Sequence, residues 1–331
     1  MPKHLPCYPI RFQPLIMTKV WGARRMAGLL NKPLPLHDPV GESWEVSDHP
    51  HGMSVVANGP LAGKTFRQLI HADPFAVAGP DGLTPEGRFL LLYKFLDAGS
   101  YTSVQVHPDD VYARAHESDP SGKTEAWYII HAEPNAKLIR GTVKGVDRAA
   151  FVQAVRKSHV ESTLDCFPVH AGDVIFLPAG VVHALGPGIT IAEIQQNSDT
   201  TYRVFDWHRH GLDGKPRELH LDKALDVIRF DDPDPNKHPK KVISSANPLH
   251  ENLVTCPLFV MDRLVIDRPF ALEGRHGRFD IISALTGRGS IVSEHSTEPI
   301  ATGNTYFLPA CLDRATITPE GKLELLWIRR P

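Results

Sequence analysis

A row of polar side chains in the segment 102–128, TSVQVHPDDVYARAHESDPSGKTEAWY, is the feature that most constrains the fold. Side chains on a strand alternate between its two faces, so Ser103, Gln105 and His107 share one face while valines occupy the other. A second β-like run, EAWYII, begins at Glu125. Burying amide, imidazole and carboxylate groups costs free energy unless something binds them. A divalent metal inside a barrel would bind them, so the alternation predicts a metal site.

The remainder of the chain also favours short strands. Its 331 residues include 29 Pro and 25 Gly, which interrupt many short β-like runs. Short strands separated by Pro and Gly are typical of a β-sandwich or jelly roll rather than of an alternating βαβ fold. Helical patterns predict a few helices only, within 64–78, 108–122, 146–160 and 218–230. We therefore predict a mainly β protein with a few peripheral helices.

The chain is long enough for two domains. A charged segment with three prolines, DDPDPNKHPKK, lies about two-thirds of the way along and is typical of a linker. We predict a catalytic β domain with helical insertions over 1–232, a linker over 233–241 and a second, degenerate β domain over 242–331.

The two halves contain a repeated sequence pattern. The sequence AGDVIFLPAGVVHA (171–184) resembles TGNTYFLPACLDRA (302–315) at identical offsets. Two copies of one β unit predict two jelly rolls in tandem. His183 of the first copy is replaced by Arg314 in the second, so we expect a metal in the first copy only.

Charge and cysteine content limit the partners and the location. A net charge of −2, from 36 basic and 38 acidic residues, gives no general attraction to nucleic acid or to a membrane. No run reaches the ~20 apolar residues of a membrane span. The N-terminus has no apolar run of signal-peptide length. Four scattered cysteines without a CxxC pair argue against a zinc ribbon or a redox pair. We expect a cytoplasmic protein, with the oligomeric state left open.

Four side chains are candidate metal ligands. An isolated histidine among 18 is more often structural than metal-binding. The joint pattern of alternating strands and a Gly/Pro-rich turn favours a site. Two imidazoles, a carboxylate and an amide oxygen suit zinc, with a position left for water or substrate. The predicted ligands are Gln105, His107, Glu125 and His183.

A second group of charged residues is predicted to act on the substrate. In ITIAEIQQ, Glu193 shares the face of Ile191 and Gln195. Glu193 alternatively belongs to a solvated strand face. Asp199 and Arg203 alternatively form a surface ion pair worth under ~1 kcal/mol. Lys123 is either a solvated loop lysine or a group at the barrel entrance. A metal with two nearby cations suits a substrate that carries both hydroxyl or carbonyl oxygens and an anionic group.

Five runs together resemble the type I phosphomannose isomerases, in their short bacterial form. They are FLLLYKFLDA, SVQVHPDD, GKTEAWYII, GDVIFLPAGVVHAL and EIQQNSDTTYRVFD, within roughly residues 8–232, and the resemblance weakens towards the C-terminus. The resemblance implies cupin-type jelly-roll barrels, a phosphorylated hexose as substrate and one Zn²⁺ per chain. It also implies interconversion of mannose 6-phosphate and fructose 6-phosphate through a cis-enediol intermediate.

The family's functional residues fall on matching positions of this chain. The resemblance places zinc ligands at His107, Glu125 and His183, with Gln105 as a fourth ligand that water could replace. It places the active-site lysine at Lys123 and the active-site arginine at Arg203, the two groups expected to bind substrate together with Ser103. Its acidic candidates are Glu193 and Asp199. Some relatives carry a histidine directly before the lysine, where this chain has Gly122.

The sequence leaves two questions open. The first is the identity of the general base. Glu193 is one candidate, because burial would raise its pKa toward neutrality. Lys123 is the other, because nearby zinc and Arg203 would lower its pKa. Two other functions also fit a cupin barrel: a different metal-dependent enzyme, such as an iron oxygenase, or a phosphosugar-binding module without turnover.

Overall fold

A computed structural model describes residues 5–246, 248–272, 275 and 277–331. Strands account for 41% of the chain and helices for 15%. The prediction of a mainly β protein with few helices is therefore confirmed. In chain order the strands are β1 (Ile10–Arg11), β2 (Leu15–Ala23), β3 (Val40–Val46), β4 (Asp48–His49), β5 (Gly52–Met53), β6 (Leu91–Ala98), β7 (Val104–Val106), β8 (Glu125–Ala132), β9 (Lys137–Thr142), β10 (Leu164–Pro168), β11 (Val174–Leu177), β12 (His183–Ala184), β13 (Ile189–Gln196), β14 (Tyr202–Phe205), β15 (Lys241–Ser244), β16 (Leu249–Thr255), β17 (Val260–Ile266), β18 (Phe270–Leu272), β19 (Asp280–Thr286), β20 (Arg288–Ser293), β21 (Thr297–Ala301), β22 (Thr305–Leu308), β23 (Ala315–Pro319) and β24 (Leu323–Arg329).

The α-helices of the described residues are short, and four of the six begin after a Thr or Asp whose side chain caps the first turn. The helix predicted within 64–78 is divided at Pro74, because proline cannot continue the backbone hydrogen bonding of a helix. Its first part begins after Thr65, which forms a capping box with Gln68. The helices are α1 (Arg25–Leu30), α2 (Phe66–Ala72), α3 (Pro74–Ala78), α4 (Asp110–His116), α5 (Arg148–Arg156) and α6 (Leu221–Val227).

Two sheets build the first two-thirds of the chain. One has six strands in the order β11-β8-β13-β6-β2-β3, and the other has five in the order β10-β9-β12-β7-β14. Inward-facing side chains of both sheets form one apolar cluster, which includes Trp21, Trp127, Leu138 and Ile191. The valines of β7 lie on the outer face instead and pack with α5 and α6. The predicted alternation along β7 thus separates an inner polar row from an outer apolar row.

The C-terminal part contains a seven-stranded sheet, β1-β22-β19-β24-β17-β16-β15, and a four-stranded sheet, β18-β23-β20-β21. These two sheets share a second apolar cluster. The two copies of the repeated pattern, 171–184 and 302–315, include β11 and β22. The glycines that precede these strands, Gly172 and Gly303, both have positive φ values, 89° and 82°. Arg314 is exposed. The finer prediction of two tandem barrels of the cupin type stays a prediction.

The two parts of the chain are closely joined. Tyr93, Phe95 and Ile194 from the six-stranded sheet belong to one cluster with Phe259 and Phe307. Strand β1 pairs with β22, so the beginning of the described chain belongs to the C-terminal sheet. The domain division at 233–241 stays a prediction.

Two further observations concern the cysteines and the membrane. A disulfide joins Cys7 to Cys311 across 304 positions, a pairing that the scattered spacing did not indicate. Cys166 and Cys256 are free thiols. Within the described residues, none of the helices has the length and apolar character needed to cross a bilayer.

Candidate active site

Three predicted metal ligands converge inside the first pair of sheets. His107 follows β7, Glu125 begins β8, and His183 begins β12. Glu125 Oε1 lies 3.2 Å from His183 Nε2, and Glu125 Oε2 lies 3.7 Å from His107 Nε2. All three residues are buried, and their potential ligand atoms lie within 4.8 Å of one another. The segments that carry these side chains are far apart in sequence, and strand pairing brings them together.

Backbone hydrogen bonds fix which ring nitrogen of each histidine faces the group. His107 Nδ1 lies 2.8 Å from the carbonyl of Thr200, and His183 Nδ1 lies 2.9 Å from that of Val181. A carbonyl only accepts, so each Nδ1 donates and each Nε2 keeps a lone pair directed at Glu125. Such an outer hydrogen bond is the usual support of a metal-binding histidine.

The donor set therefore fits a divalent cation. Both carboxylate oxygens of Glu125 are buried, Oε1 beside His183 and Oε2 beside His107 and the ammonium of Lys123. Burial opposes ionisation of Glu125, but Lys123 and the two histidines outweigh it and hold its pKa well below the usual range. Burial, followed by the charge of Lys123, lowers the pKa of His107 well below its usual value. An ionised carboxylate and neutral imidazoles are the protonation states that bind metals.

Gln105 occupies the fourth predicted position. It pairs in register with His183, and its Nε2 lies 3.3 Å from His183 Nε2. Its Oε1 accepts a hydrogen bond from the hydroxyl of Ser103 at 3.3 Å. The amide is thus adjacent to the His–Glu–His group, although here its oxygen is directed at Ser103. The structure brings Gln105 and Ser103 to the same cavity wall.

Lys123 lies against the metal-ligand candidates. Its Nζ lies 2.9 Å from Glu125 Oε2, 3.1 Å from His107 Nε2 and 3.9 Å from Glu193 Oε1. The side chain is buried, so it is not a solvated loop lysine.

Glu193 lies within a buried row of alternating charges. Lys94 Nζ lies 3.5 Å from both Glu193 Oε1 and Glu42 Oε2, and Lys19 lies 3.2 Å from Glu42. Burial and the neighbouring charge of Glu125 raise the pKa of Glu193 to about 7. Burial opposes ionisation of Glu42, but Lys94 and Lys19 hold its pKa at about 2. Burial alone would lower the pKa of Lys94, but Glu193 and Glu42 outweigh it and raise it.

The charged row of Lys19, Glu42, Lys94 and Glu193 lines a cavity of about 450 Å³ together with Lys123. This volume suits a small-molecule ligand. Its walls combine apolar rings with cations, and the sequence analysis missed several of these residues. The missed wall residues include Lys19, Trp21, Glu42, Trp44, Lys94 and Arg217.

Two arginines lie at one side of the cavity. Arg203 donates from Nη1 to the carbonyl of Glu218 at 2.8 Å, and its buried Nε has no acceptor within the described residues. Burial and the nearby Arg217 lower the pKa of Arg203. Arg217 itself binds Asp206 through Nε at 2.7 Å. Arg203 therefore has an unused donor and incompletely compensated charge, which suits an anionic ligand group.

Asp199 lies on the cavity wall, but its contacts differ from those of Glu193. It contacts the imidazole of His51, and its Oδ1 lies 3.5 Å from His49 Nε2. His51 also lines the cavity. His49, His51 and Asp199 form a second group whose potential ligand atoms lie within 4.8 Å of one another. The sequence analysis predicted Asp199 and missed both histidines.

Comparisons with known proteins identify the family. Residues 10–122 match the family model "Phosphomannose isomerase type I, catalytic domain". The chain is 36% identical to a probable mannose-6-phosphate isomerase of Bacillus subtilis (strain 168), over 96% of this chain and 98% of that protein. It is 34% identical to a mannose-6-phosphate isomerase of Streptococcus mutans, over 96% and 97%. The crystal structure of mannose 6-phosphate isomerase from Bacillus subtilis superposes with a TM-score of 0.88 at 33% identity, covering 97% of this chain and 99% of that one.

The fold and the site together define a mainly β enzyme with a buried group of potential metal ligands next to residues that line a polar cavity. The relatives above identify the family more narrowly. The chain belongs to the type I phosphomannose isomerases.

Proposed function

We propose that this chain is a zinc-dependent isomerase that interconverts mannose 6-phosphate and fructose 6-phosphate through a cis-enediol. One observation carries the proposal: His107, Glu125 and His183 converge directly behind Lys123 and Gln105, which line a cavity together with Glu193 and Arg203. The names of the relatives support it. Family membership favours this function over an iron oxygenase or a binding module.

The residues that would hold one zinc ion are His107, Glu125 and His183, with Gln105 as the fourth ligand after rotation of its amide. When bound, zinc would act as a Lewis acid that stabilises negative charge developing on the substrate oxygens.

The proton transfer is assigned to Glu193 or Lys123. Isomerisation removes a proton from carbon 2 of the aldose and returns one to carbon 1. Glu193 is our first choice, because a pKa of about 7 lets the carboxylate accept and return a proton near neutral pH. Lys123 is the alternative, since its Nζ lies only 3.9 Å from Glu193 Oε1.

The substrate phosphate is assigned to Arg203. Its guanidinium stays charged at working pH, its side chain lines the cavity, and its buried Nε has no acceptor within the described residues. Ser103 and Lys123 are assigned to the sugar hydroxyls. A phosphorylated sugar does not cross a bilayer unaided because its charge is costly to bury, so we propose the cytoplasm as the place of action.

A coupled assay for fructose 6-phosphate formed from mannose 6-phosphate, with and without a chelator, tests this function. We expect turnover that the chelator abolishes and added zinc restores. His183→Ala should lose both bound zinc and turnover, whereas His170→Ala, at an exposed histidine, should keep both. Full zinc occupancy in the His183 variant would contradict its role as a ligand, and absence of turnover in the zinc-loaded chain would contradict the function.

A further inference from the structure

A short hairpin carries two histidines, of which His51 lines the cavity, and neither has a role in the chemistry described so far. Strands β4 and β5 pair Asp48 with Met53 and His49 with Gly52, which places His51 in the connecting turn. The hairpin is anchored, because Ser47 Oγ donates to the carbonyl of Gly52 at 2.5 Å and Asn197 donates to the carbonyl of Asp48 at 3.0 Å. His51 is therefore held beside the segment that carries Asp199.

The contacts of His49 argue against a second metal site. Its Nδ1 accepts a hydrogen bond from the backbone N–H of His51 at 3.2 Å. A neutral imidazole with an accepting Nδ1 carries its proton on Nε2, and that atom lies 3.5 Å from carboxylate oxygens of both Asp119 and Asp199. A protonated Nε2 has no lone pair for a metal. The protonated Nε2 of His49 is thus directed toward the two carboxylates.

His51 has the opposite arrangement. Its Nδ1 contacts Asp199 Oδ2, and an acceptor-only carboxylate fixes the proton on that nitrogen. Nε2 consequently keeps its lone pair, and the side chain is 71% exposed at the cavity wall. A histidine oriented by a carboxylate, with its second nitrogen free, is the arrangement of a general base in many enzymes.

The position where some relatives carry a histidine does not accept one here. A Cβ atom added at Gly122 would lie 2.5 Å from the backbone of Asp109 and Asp110. A side chain at that position therefore requires the backbone to move. The imidazole of His51 lines the cavity from a different element. Asp199 is adjacent to Thr200, whose carbonyl accepts a hydrogen bond from the metal-ligand candidate His107.

We propose that His51, positioned by Asp199, transfers the proton that opens the sugar ring before isomerisation; this inference rests on the proposed function. The O1–H bond of the cyclic sugar breaks, and its proton passes to Nε2 of His51. The electron pair left on O1 forms the C1=O1 bond, and the C1–O5 bond breaks with its electron pair on O5. The imidazolium returns its proton to O5, so no net charge or proton is gained.

An open-chain substrate separates this role from simple positioning. Fructose 6-phosphate closes its ring through O5, because O6 carries the phosphate, so 5-deoxyfructose 6-phosphate stays open. We expect His51→Gln to lose about 10²-fold of kcat on mannose 6-phosphate but to stay within about twofold of the parent on the open-chain analogue. Asp199→Asn should show the same selectivity with a smaller loss.

His170→Gln is the matched control, because His170 is a similarly exposed histidine beside a carboxylate, that of Asp173. It should match the parent on both substrates. Equal losses on both substrates in the His51 variant, or no loss on either, would overturn the proposal. So would two metal ions per parent chain with one lost in His51→Gln. If the zinc-loaded parent converts neither substrate, the proposed function itself is wrong.

Discussion

Lys94 Nζ lies 3.5 Å from Glu193 Oε1, and both side chains are buried within the six-stranded sheet. The two residues are register partners on β6 and β13. The positive charge favours the ionised form of the carboxylate, against burial and the repulsion of Glu125. The pKa of the candidate base is therefore controlled by a neighbouring strand.

Replacing this lysine should move the pH dependence of turnover. In Lys94→Met the ionised form of Glu193 loses its attraction, so its pKa should rise by roughly one unit or more. The acidic limb of kcat/KM against pH should move to higher pH by the same amount. Bound zinc lowers the pH at which the acidic limb lies in both proteins. Parent and variant are therefore compared at equal zinc content.

A second buried lysine provides the control for that shift. Lys32 is also buried and lies 2.7 Å from Glu45, but it does not line the cavity. Lys32→Met should destabilise the fold, because it leaves a buried carboxylate unpaired. It should leave the acidic limb unchanged. An identical shift in both variants would contradict the assignment of the limb to Glu193.

Removing the candidate base should separate proton transfer from metal binding. Glu193→Gln keeps the shape of the side chain but cannot accept a proton, so we expect turnover to fall by about 10²–10⁴-fold. Zinc content should be unchanged, because Glu193 is not a proposed ligand. Near-normal turnover in both this variant and Lys123→Met would show that the assigned proton chemistry is wrong.

The same carboxylate should affect the stability of the metal-free chain. The pKa of Glu193 is raised from 4.5 to about 7 in the fold, so the native state binds a proton more tightly than the unfolded state. Between these two pH values, stability should therefore fall as pH rises, by at most about 3 kcal/mol from this group. Chemical denaturation should show a smaller fall in Glu193→Gln. Parallel stability curves for the two proteins would contradict the raised pKa.

Local patterns predicted the parts of the site that depend on a single strand. Alternation alone placed Gln105 and His107 on the inner face of the first sheet pair, because strand geometry fixes the direction of each side chain. The run FLLLYKFLDA also contained a signal that we did not use. A lysine within an apolar strand requires a buried partner, and Lys94 has one.

Long-range pairing limited the rest of the prediction. Glu42 and Lys94 are far apart in sequence, and only the pairing of β3 with β6 brings them together. His51 lies in a turn between strands of two residues, which have no detectable periodicity. The sequence therefore predicted Asp199 as a site residue but not its contact with His51.

The phosphate assignment makes a prediction about substrate affinity. Arg203→Lys keeps the positive charge but loses the forked donors, and hydrogen bonds to charged groups are worth about 1.5–3 kcal/mol. We expect KM for mannose 6-phosphate to rise by roughly 10–100-fold with a smaller change in kcat. Arg209→Lys is the control, because Arg209 contacts Asp206 but does not line the cavity. A larger effect on kcat than on KM would instead assign Arg203 to the reacting oxygens.

The disulfide between Cys7 and Cys311 should matter for stability and not for turnover. It joins the beginning of the described chain to the segment that follows β22, and it lies outside the cavity wall. Cross-links that close long loops restrict the unfolded chain, so Cys311→Ser should lower the free energy of unfolding by roughly 2–5 kcal/mol. Cys166→Ser, at an exposed free thiol, should change stability little. Because disulfides are rare in reducing compartments, mass measurement after thiol alkylation of protein taken from the cytoplasm shows whether the bond forms there. Equal stability of parent and Cys311→Ser under oxidising conditions would show that the bond does not restrict the unfolded chain.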